Sequence, residues 1–264
     1  MTATIGHSSI LLAFVIALAG SVIPILVPRG ANERYVTFAR WGILGQFILV
    51  FLAGSALVYG LVMTDFSIRY VVFNTTRATP IYYRITGLWG ALEGSLLLWE
   101  WILIIFSGIV AWVYRDRHRE MMPWVLMVFC IVSAFFLGVI AFVSNPFETV
   151  FPVPLDGRGL NPLLEDANMM SHPPLLYTGF VGLTVPYAFA MAALIIGKLD
   201  DAWIVTTRRW TIIAWFFLTM GNLVGAYWSY HVLGWGGYWA WDPVENAAFM
   251  PWLPATAFLH SVQV

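Results

Sequence analysis

The densest chemistry in the sequence lies between Gly234 and Asn246, GWGGYWAWDPVEN. Four large aromatics fall within seven residues there, beside three glycines and no lysine or arginine. Glycine lets backbone approach a ligand closely. Tryptophan and tyrosine offer flat faces with one polar edge. Asp242-Pro243 reads as a helix start, with aspartate as N-cap and proline at the first position. Trp235, Gly236, Gly237, Tyr238, Trp239, Trp241, Asp242 and Glu245 are thus candidate binding residues for a flat ligand. The competing reading is an interfacial aromatic belt, although a belt spreads its rings over all helix ends.

Two histidines add metal-ligand chemistry. His172 follows a polar loop and precedes Pro173-Pro174, which read as the start of a helix and fix the backbone around the imidazole. A neutral imidazole is a good axial ligand for haem iron; a helix-end histidine bonded to a carbonyl is the plainer alternative. His260 lies thirteen residues past Ala247, which in one straight helix is ~20 Å into a membrane. An ionisable group at that depth is a functional candidate by default, against a neutral histidine bonded to a neighbouring helix. Glu93 and Glu100 are seven apart, on one face of a helix, and read as structural, as proton carriers or as the lining of a polar cavity. His231, His7 and His118 sit near helix ends and need no special role.

The elements that must position these residues are membrane helices. Sixty per cent of the 264 residues are apolar and 10% charged, against about 25% charged in a soluble domain. A net charge of −1 gives no electrostatic case for nucleic acid. One cysteine, Cys130, allows no disulfide framework. A bilayer core needs roughly 20 apolar residues per helix. Ser8–Val27, Trp41–Val62, Gly94–Tyr114, Met122–Val143, Leu175–Gly197 and Trp210–Tyr230 qualify, and Ala247–Val264 is just long enough. The expected fold is therefore all-α: a polytopic bundle of about seven transmembrane helices, read as one membrane domain over 1–264. The first span lacks a basic n-region and reads as a retained helix rather than a signal peptide. The abrupt end at Val264 points to a split gene product or a portion of a longer protein.

Positive charge orients the bundle. Arg29, Arg34, Arg40, Arg115, Arg117, Arg119, Lys198, Arg208 and Arg209 share one side. Only Arg69, Arg77, Arg84 and Arg158 lie on the other. The first side is expected to be cytoplasmic, so the N-terminus and the long loops 63–93, 144–174 and 231–246 face outward. The four outer arginines are the cations available to anionic ligand groups such as haem propionates.

Trp235–Asn246 resembles the tryptophan-rich "WWD" signature of haem-handling membrane proteins. The chain as a whole is similar to the CcmF/NrfE family, haem lyase subunits of System I cytochrome c maturation. The resemblance runs through Asn74, Tyr83-Arg84, Trp89-Gly90, Glu93–Trp99, Ser144–Phe147, Gly157-Arg158, Leu160–Leu164, His172–Tyr177, Met250–Leu253 and Leu259–Ser261. The System II protein CcsA shares only the WWD core. Leu92 and His231 depart from the family pattern.

The resemblance implies a haem lyase in the bacterial inner membrane, with its functional loops on the periplasmic face. It implies that haem is held on the 231–246 loop and attached to the Cys-x-x-Cys-His motifs of apocytochrome c. His172 matches an axial ligand of the delivered haem. His260 matches a ligand of a resident haem b. In the family each histidine pairs with another further along the chain, so the remainder of a CcmF, or a second polypeptide, supplies the partner ligands. Other implied partners are a CcmE-like haem chaperone, CcmH/CcmI-like thiol and apocytochrome-delivery proteins, and apocytochrome c. A haem carrier without ligation chemistry, a non-catalytic scaffold subunit and an ion channel are the rival functions.

Overall fold

Where lipid replaces water, backbone polar groups must find partners within the chain, and helices satisfy that locally. The computed structural model describes residues 1–26, 32–198 and 202–262, and their regular structure is helical. Val27, Arg29 and Val264, which carry some of the expectations above, lie outside the described residues. The helices are α1 (Thr2–Leu26), α2 (Asn32–Val62), α3 (Arg69–Asn74), α4 (Ile81–Thr86), α5 (Leu92–Val113), α6 (Met122–Phe142), α7 (Ala167–Gly182), α8 (Thr184–Ile196), α9 (Ala202–Val232), α10 (Pro243–Phe249) and α11 (Trp252–Ser261). Six stretches among the described residues are long and apolar enough to span a bilayer: α1, Val36–Val62, α5, α6, Ala167–Ile196 and α9. The protein is a polytopic helical membrane bundle.

Helices α1, α2 and α9 start six to nine residues ahead of the spans read from hydropathy, and two further differences surround prolines. The fifth span starts at Ala167, not Leu175, because Asp166 caps it: its carboxylate accepts from Asn168 N–H at 2.8 Å. His172, Pro173 and Pro174 are therefore inside α7. The expected seventh helix breaks at Met250-Pro251 into α10 and α11. Proline has no N–H to continue the ladder. The straight-helix estimate of ~20 Å for His260 fails with it; measured along α11 from Trp252, the rise is ~12 Å.

The chain forms two compact units, Met1–Pro162 and Leu163–Val264. In the first, α1 packs on α2 and α6, and α5 packs on α2 and α6. Small residues set the approach: Gly20 faces Cys130, Gly138 faces Phe14 and Gly54 faces Trp101. Leu12, Val15 and Ile25 point outward from α1, as expected of a lipid-facing surface. Between the helices lies one polar cluster. Ser133 Oγ is 2.9 Å from Gln46 Oε1 and 2.5 Å from Glu100 Oε1, and Gln46 Nε2 faces Cys130 Sγ. Glu100 is fully buried.

The loops between α2 and α5 and after α6 fold into a cap on this unit. Tyr70 donates to the carbonyls of Gly87 and Leu88 and accepts from Ala91 N–H at 3.2 Å. Gly90 lies against Leu160 and Asn74, Gly94 against Tyr70 and the Leu88 carbonyl, and Gly157 against the Thr75 carbonyl. The motif glycines of these loops are thus packing requirements.

Replacing Ser133 with Ala leaves Gln46 Oε1 and Glu100 Oε1 without their shared donor. We expect Ser133→Ala to cost about 1–3 kcal/mol, read as a lower thermal midpoint of the purified protein. An unchanged midpoint would show that the cluster contributes nothing to folding.

Candidate functional site

The second unit is built on a contact between α7 and α9. Gly179 of α7 faces the backbone of Leu218, and Gly221 of α9 faces the backbone of Leu176. A Cβ at either glycine would collide with main chain, so only glycine permits this approach. Gly221 and Gly225 are four apart on one face of α9, the small-xxx-small spacing that brings membrane helices close.

His172 sits at the end of that seam. Its ring lies against Gly225, where a Cβ would strike it. Its Nδ1 is 2.8 Å from the Gly221 carbonyl oxygen. A carbonyl only accepts, so Nδ1 carries the hydrogen and Nε2 the lone pair. Nε2 has no hydrogen-bond partner among the described residues. The indole of Trp228 lies parallel to the imidazole, at 9° with centroids 6.4 Å apart, and its N–H donates to the Leu163 carbonyl. Two restraints therefore fix one tautomer and one ring plane.

The aromatic loop folds onto the same end of α9. Ser229 donates to the Gly237 carbonyl at 3.3 Å. Tyr230 and Tyr238 stack with centroids 4.3 Å apart. Gly236 has φ +72° and Trp241 has φ +59°; the left-handed backbone costs a non-glycine residue about 1–2 kcal/mol. Trp241 is held there by an edge contact with Trp239 and by Asn246, which donates to its carbonyl. Gly237 lies under the Trp235 ring. Asp242 caps α10 by accepting from Glu245 N–H at 2.7 Å, and Glu245 accepts from Ala240 N–H at 2.6 Å. The helix start read at Asp242-Pro243 is present, and both carboxylates are spent on the loop's own backbone. Trp235, Tyr238 and Trp241 are exposed, whereas Trp239 Nε1 is buried with no acceptor among the described residues.

His260 occupies a different place. It is exposed, one residue from the end of α11. Among the described residues no hydrogen bond or ring contact joins it to His172 or to the loop. A reciprocal lock holds α11 on α9. Trp215 donates to Thr256, which donates to the Trp252 carbonyl; Trp252 donates to Thr219, which donates to the Trp215 carbonyl. The two indoles stack at 24°.

Most of the remaining candidates make contacts within the fold. His231 donates through Nδ1 to Asp166 at 3.3 Å, tying the end of α9 to the start of α7. Arg84 spends its guanidinium on the carbonyls of Thr79, Val62 and Arg77. Arg69 pairs with Glu148 at 2.7 Å, and Arg158 lies over the Phe73 ring. Arg77 N–H bonds to Asp156. Glu93 lines a cavity of about 410 Å³ with Arg69, Asn74 and Glu148. His7 lies within α1, and His118 lies in the turn after α5 with φ +51°.

Known proteins resemble this chain in sequence and in fold. The family described as "Cytochrome C assembly protein" matches residues 89–264. The chain belongs to the cytochrome c assembly protein family. It is 44% identical to the cytochrome c-type biogenesis protein CcmF of Haemophilus influenzae, over the whole of this chain and 41% of that protein. It is 43% identical to CcmF of Escherichia coli K12, with the same coverage. It is 42% identical to the probable cytochrome c-type biogenesis protein NrfE of that organism, over 91% of this chain and 44% of NrfE. A solved structure named Cytochrome c Heme Lyase CcmF superposes with a TM-score of 0.86 at 38% identity, covering all of this chain and 42% of that one. The chain thus spans about two-fifths of the length of these relatives.

In this member of the cytochrome c assembly protein family, Gly221, Gly225, Trp228 and Ser229 touch the candidate site residues, and motif reading passed over them. The Gly221/Gly225 spacing was the available signal, with Trp228 one turn further along the same face.

The Asp166 carboxyl, just outside the span, gives a pH test. Burial acts to raise it, but bonds from the Asn168 backbone and side chain and from His231 outweigh burial and hold it below the usual aspartate range. A depressed carboxyl stabilises the fold above its unfolded value, and the contribution disappears as pH falls through the folded value. We expect the thermal midpoint of wild type to exceed that of Asp166→Asn by a constant margin above about pH 5, shrinking below about pH 4. A margin independent of pH would assign Asp166 a capping role without charge.

Proposed function

We propose that this chain is the haem-handling portion of a CcmF-type haem lyase. It holds haem at the outer membrane face and helps attach it covalently to apocytochrome c. The observation that carries the reading is the pose of His172: Nδ1 is committed to the Gly221 carbonyl, so Nε2 alone is left to ligate iron. The restraint on the second nitrogen is the kind that orients metal-bound histidines and raises their basicity. The exposed rings of Trp235, Tyr238 and Trp241 supply flat faces for a porphyrin on the loop that shares the last turns of α9. The buried Trp239 N–H needs an acceptor, and a haem propionate oxygen has that chemistry.

Haem, as substrate, brings two vinyl groups, and each apocytochrome cysteine adds sulfur to one vinyl carbon and hydrogen to the other. No redox equivalent is consumed by that addition. The residues of this chain contribute position: His172 would hold the iron, and the aromatic loop would hold the flat face of the porphyrin. Holding reactants in place supplies much of a bimolecular barrier. Asp242 and Glu245, both occupied by backbone N–H groups, favour positioning over proton transfer. His260 is proposed as one ligand of a resident haem b, which supplies redox chemistry when bound; the second ligand of each haem comes from outside this chain. The proposed setting is the bacterial inner membrane, as one membrane domain with loops 63–93, 144–174 and 231–246 on the periplasmic face. The proposed partners are the remainder of CcmF, or a polypeptide supplying it, a CcmE-like chaperone, CcmH/CcmI-like delivery proteins and apocytochrome c.

Reduced-minus-oxidised spectra of the intact purified protein test both ligand assignments. We expect His260→Ala to remove most of a b-type signal, and His172→Ala to leave it while lowering cytochrome c yield at least tenfold. Normal yield with His172→Ala would falsify its role as ligand. Haem delivered and bound normally, but never attached by the wild-type protein, would select the carrier reading.

A further inference from the structure

A second site lies at the opposite, arginine-rich end of the first unit. The first turns of the α2 span and the last turns of α5 part to leave an apolar groove of about 760 Å³. Its walls include Leu44, Phe47, Ile105 and Ile109. Gly108 forms part of its floor, and a Cβ there would meet nothing within 4 Å. Trp41 and Trp112, 67% and 70% exposed, flank it, as indoles do at the level of lipid headgroups. A polar pocket of about 340 Å³ adjoins the groove and shares Thr37, Arg40 and Arg115 with it.

The chemistry changes sharply along this site. The polar end carries Arg40, Arg115 and Arg119 against Asp116 and Glu120, an excess of one positive charge. Arg115 pairs with Asp116 at 3.0 Å and lies over the Trp112 ring. Arg40 donates through Nη2 to the Arg115 carbonyl, just past the end of α5. Its Nε is buried with no acceptor among the described residues. Arg40 lines both the groove and the polar pocket, so its guanidinium stands at their junction, within the membrane span. A guanidinium matches phosphate oxygens in geometry and charge.

We infer that this groove is a binding site for an anionic glycerophospholipid. One acyl chain lies over Gly108, and the phosphate meets Arg40 and Arg115. Two observations select this occupant: the walls are apolar over membrane-spanning residues, and the rim is net positive with Arg40 at the junction. A prenyl quinone would match the apolar walls but not the positive rim.

The test uses the intact protein, delipidated by detergent exchange and incubated with equal amounts of phosphatidylglycerol and phosphatidylcholine of the same acyl chains. Bound lipid is counted by native mass spectrometry. Wild type is expected to retain phosphatidylglycerol over phosphatidylcholine by about fivefold, the effect of roughly one well-placed arginine. Arg40→Gln brings the ratio close to one. Gly108→Leu, whose Cβ enters open space, is expected to fill the groove and remove the tightest-bound lipid at an unchanged thermal midpoint. Equal retention by wild type overturns the proposal, as does a Gly108→Leu protein that keeps its lipid. A Gly108→Leu protein that fails to fold also overturns it, because the groove is then filled by protein. A co-purifying isoprenoid in place of phospholipid assigns the site to a quinone and overturns it too.

Discussion

The close approach of α7 and α9 is the constraint on which the candidate site depends. Lipid gives helices no hydrophobic reason to associate, so contact rests on packing and on bonds between them. Here the glycines at 179 and 221 remove the side chains that would hold the axes apart. Only at that separation does a side chain of α7 reach a main-chain oxygen of α9. The His172 to Gly221 bond is thus a product of backbone proximity. Its tautomer, its ring plane and its parallel alignment with Trp228 follow from the same geometry.

The first unit solves a different problem with the same materials. Its helices also meet through glycines, but its interior admits one polar cluster centred on Ser133. The loops between its α2 and α5 are stitched by Tyr70 and by carbonyls accepting from Arg84. Family motifs that look like ligand contacts in sequence, such as Trp89-Gly90 and Glu93-Gly94, are here the joints of a folded cap. Composition cannot tell a glycine kept for a ligand from one kept for a neighbouring carbonyl.

Much of the architecture was legible because lipid imposes a length on apolar segments. The membrane class and six spans came from that rule, and the Asp242-Pro243 helix start came from capping chemistry. The errors fell where proline and capping compete with hydropathy. Hydropathy placed the fifth span after Pro174, but the cap at Asp166 starts it before His172. Hydropathy joined Ala247 to Val264, but Pro251 divides that stretch. The partners of His172 were invisible for another reason. Gly221 offers only a backbone oxygen and Gly225 only an absence of atoms, and neither is a residue type associated with chemistry. The resemblance to cytochrome c assembly proteins located the loop and the histidines, but not the seam that aims them.

The crossed pairing of Trp215 with Thr256 and Trp252 with Thr219 has a consequence beyond stability. Each indole needs the hydroxyl of the other helix, and each hydroxyl in turn donates to the carbonyl of the tryptophan one turn earlier in its own helix. Loss of either threonine strands an indole N–H in a setting where water offers little rescue, whereas loss of either indole leaves its threonine still bonded to a carbonyl of its own helix. The order of exchange therefore matters: a route that gives up the tryptophan first passes through the milder intermediate.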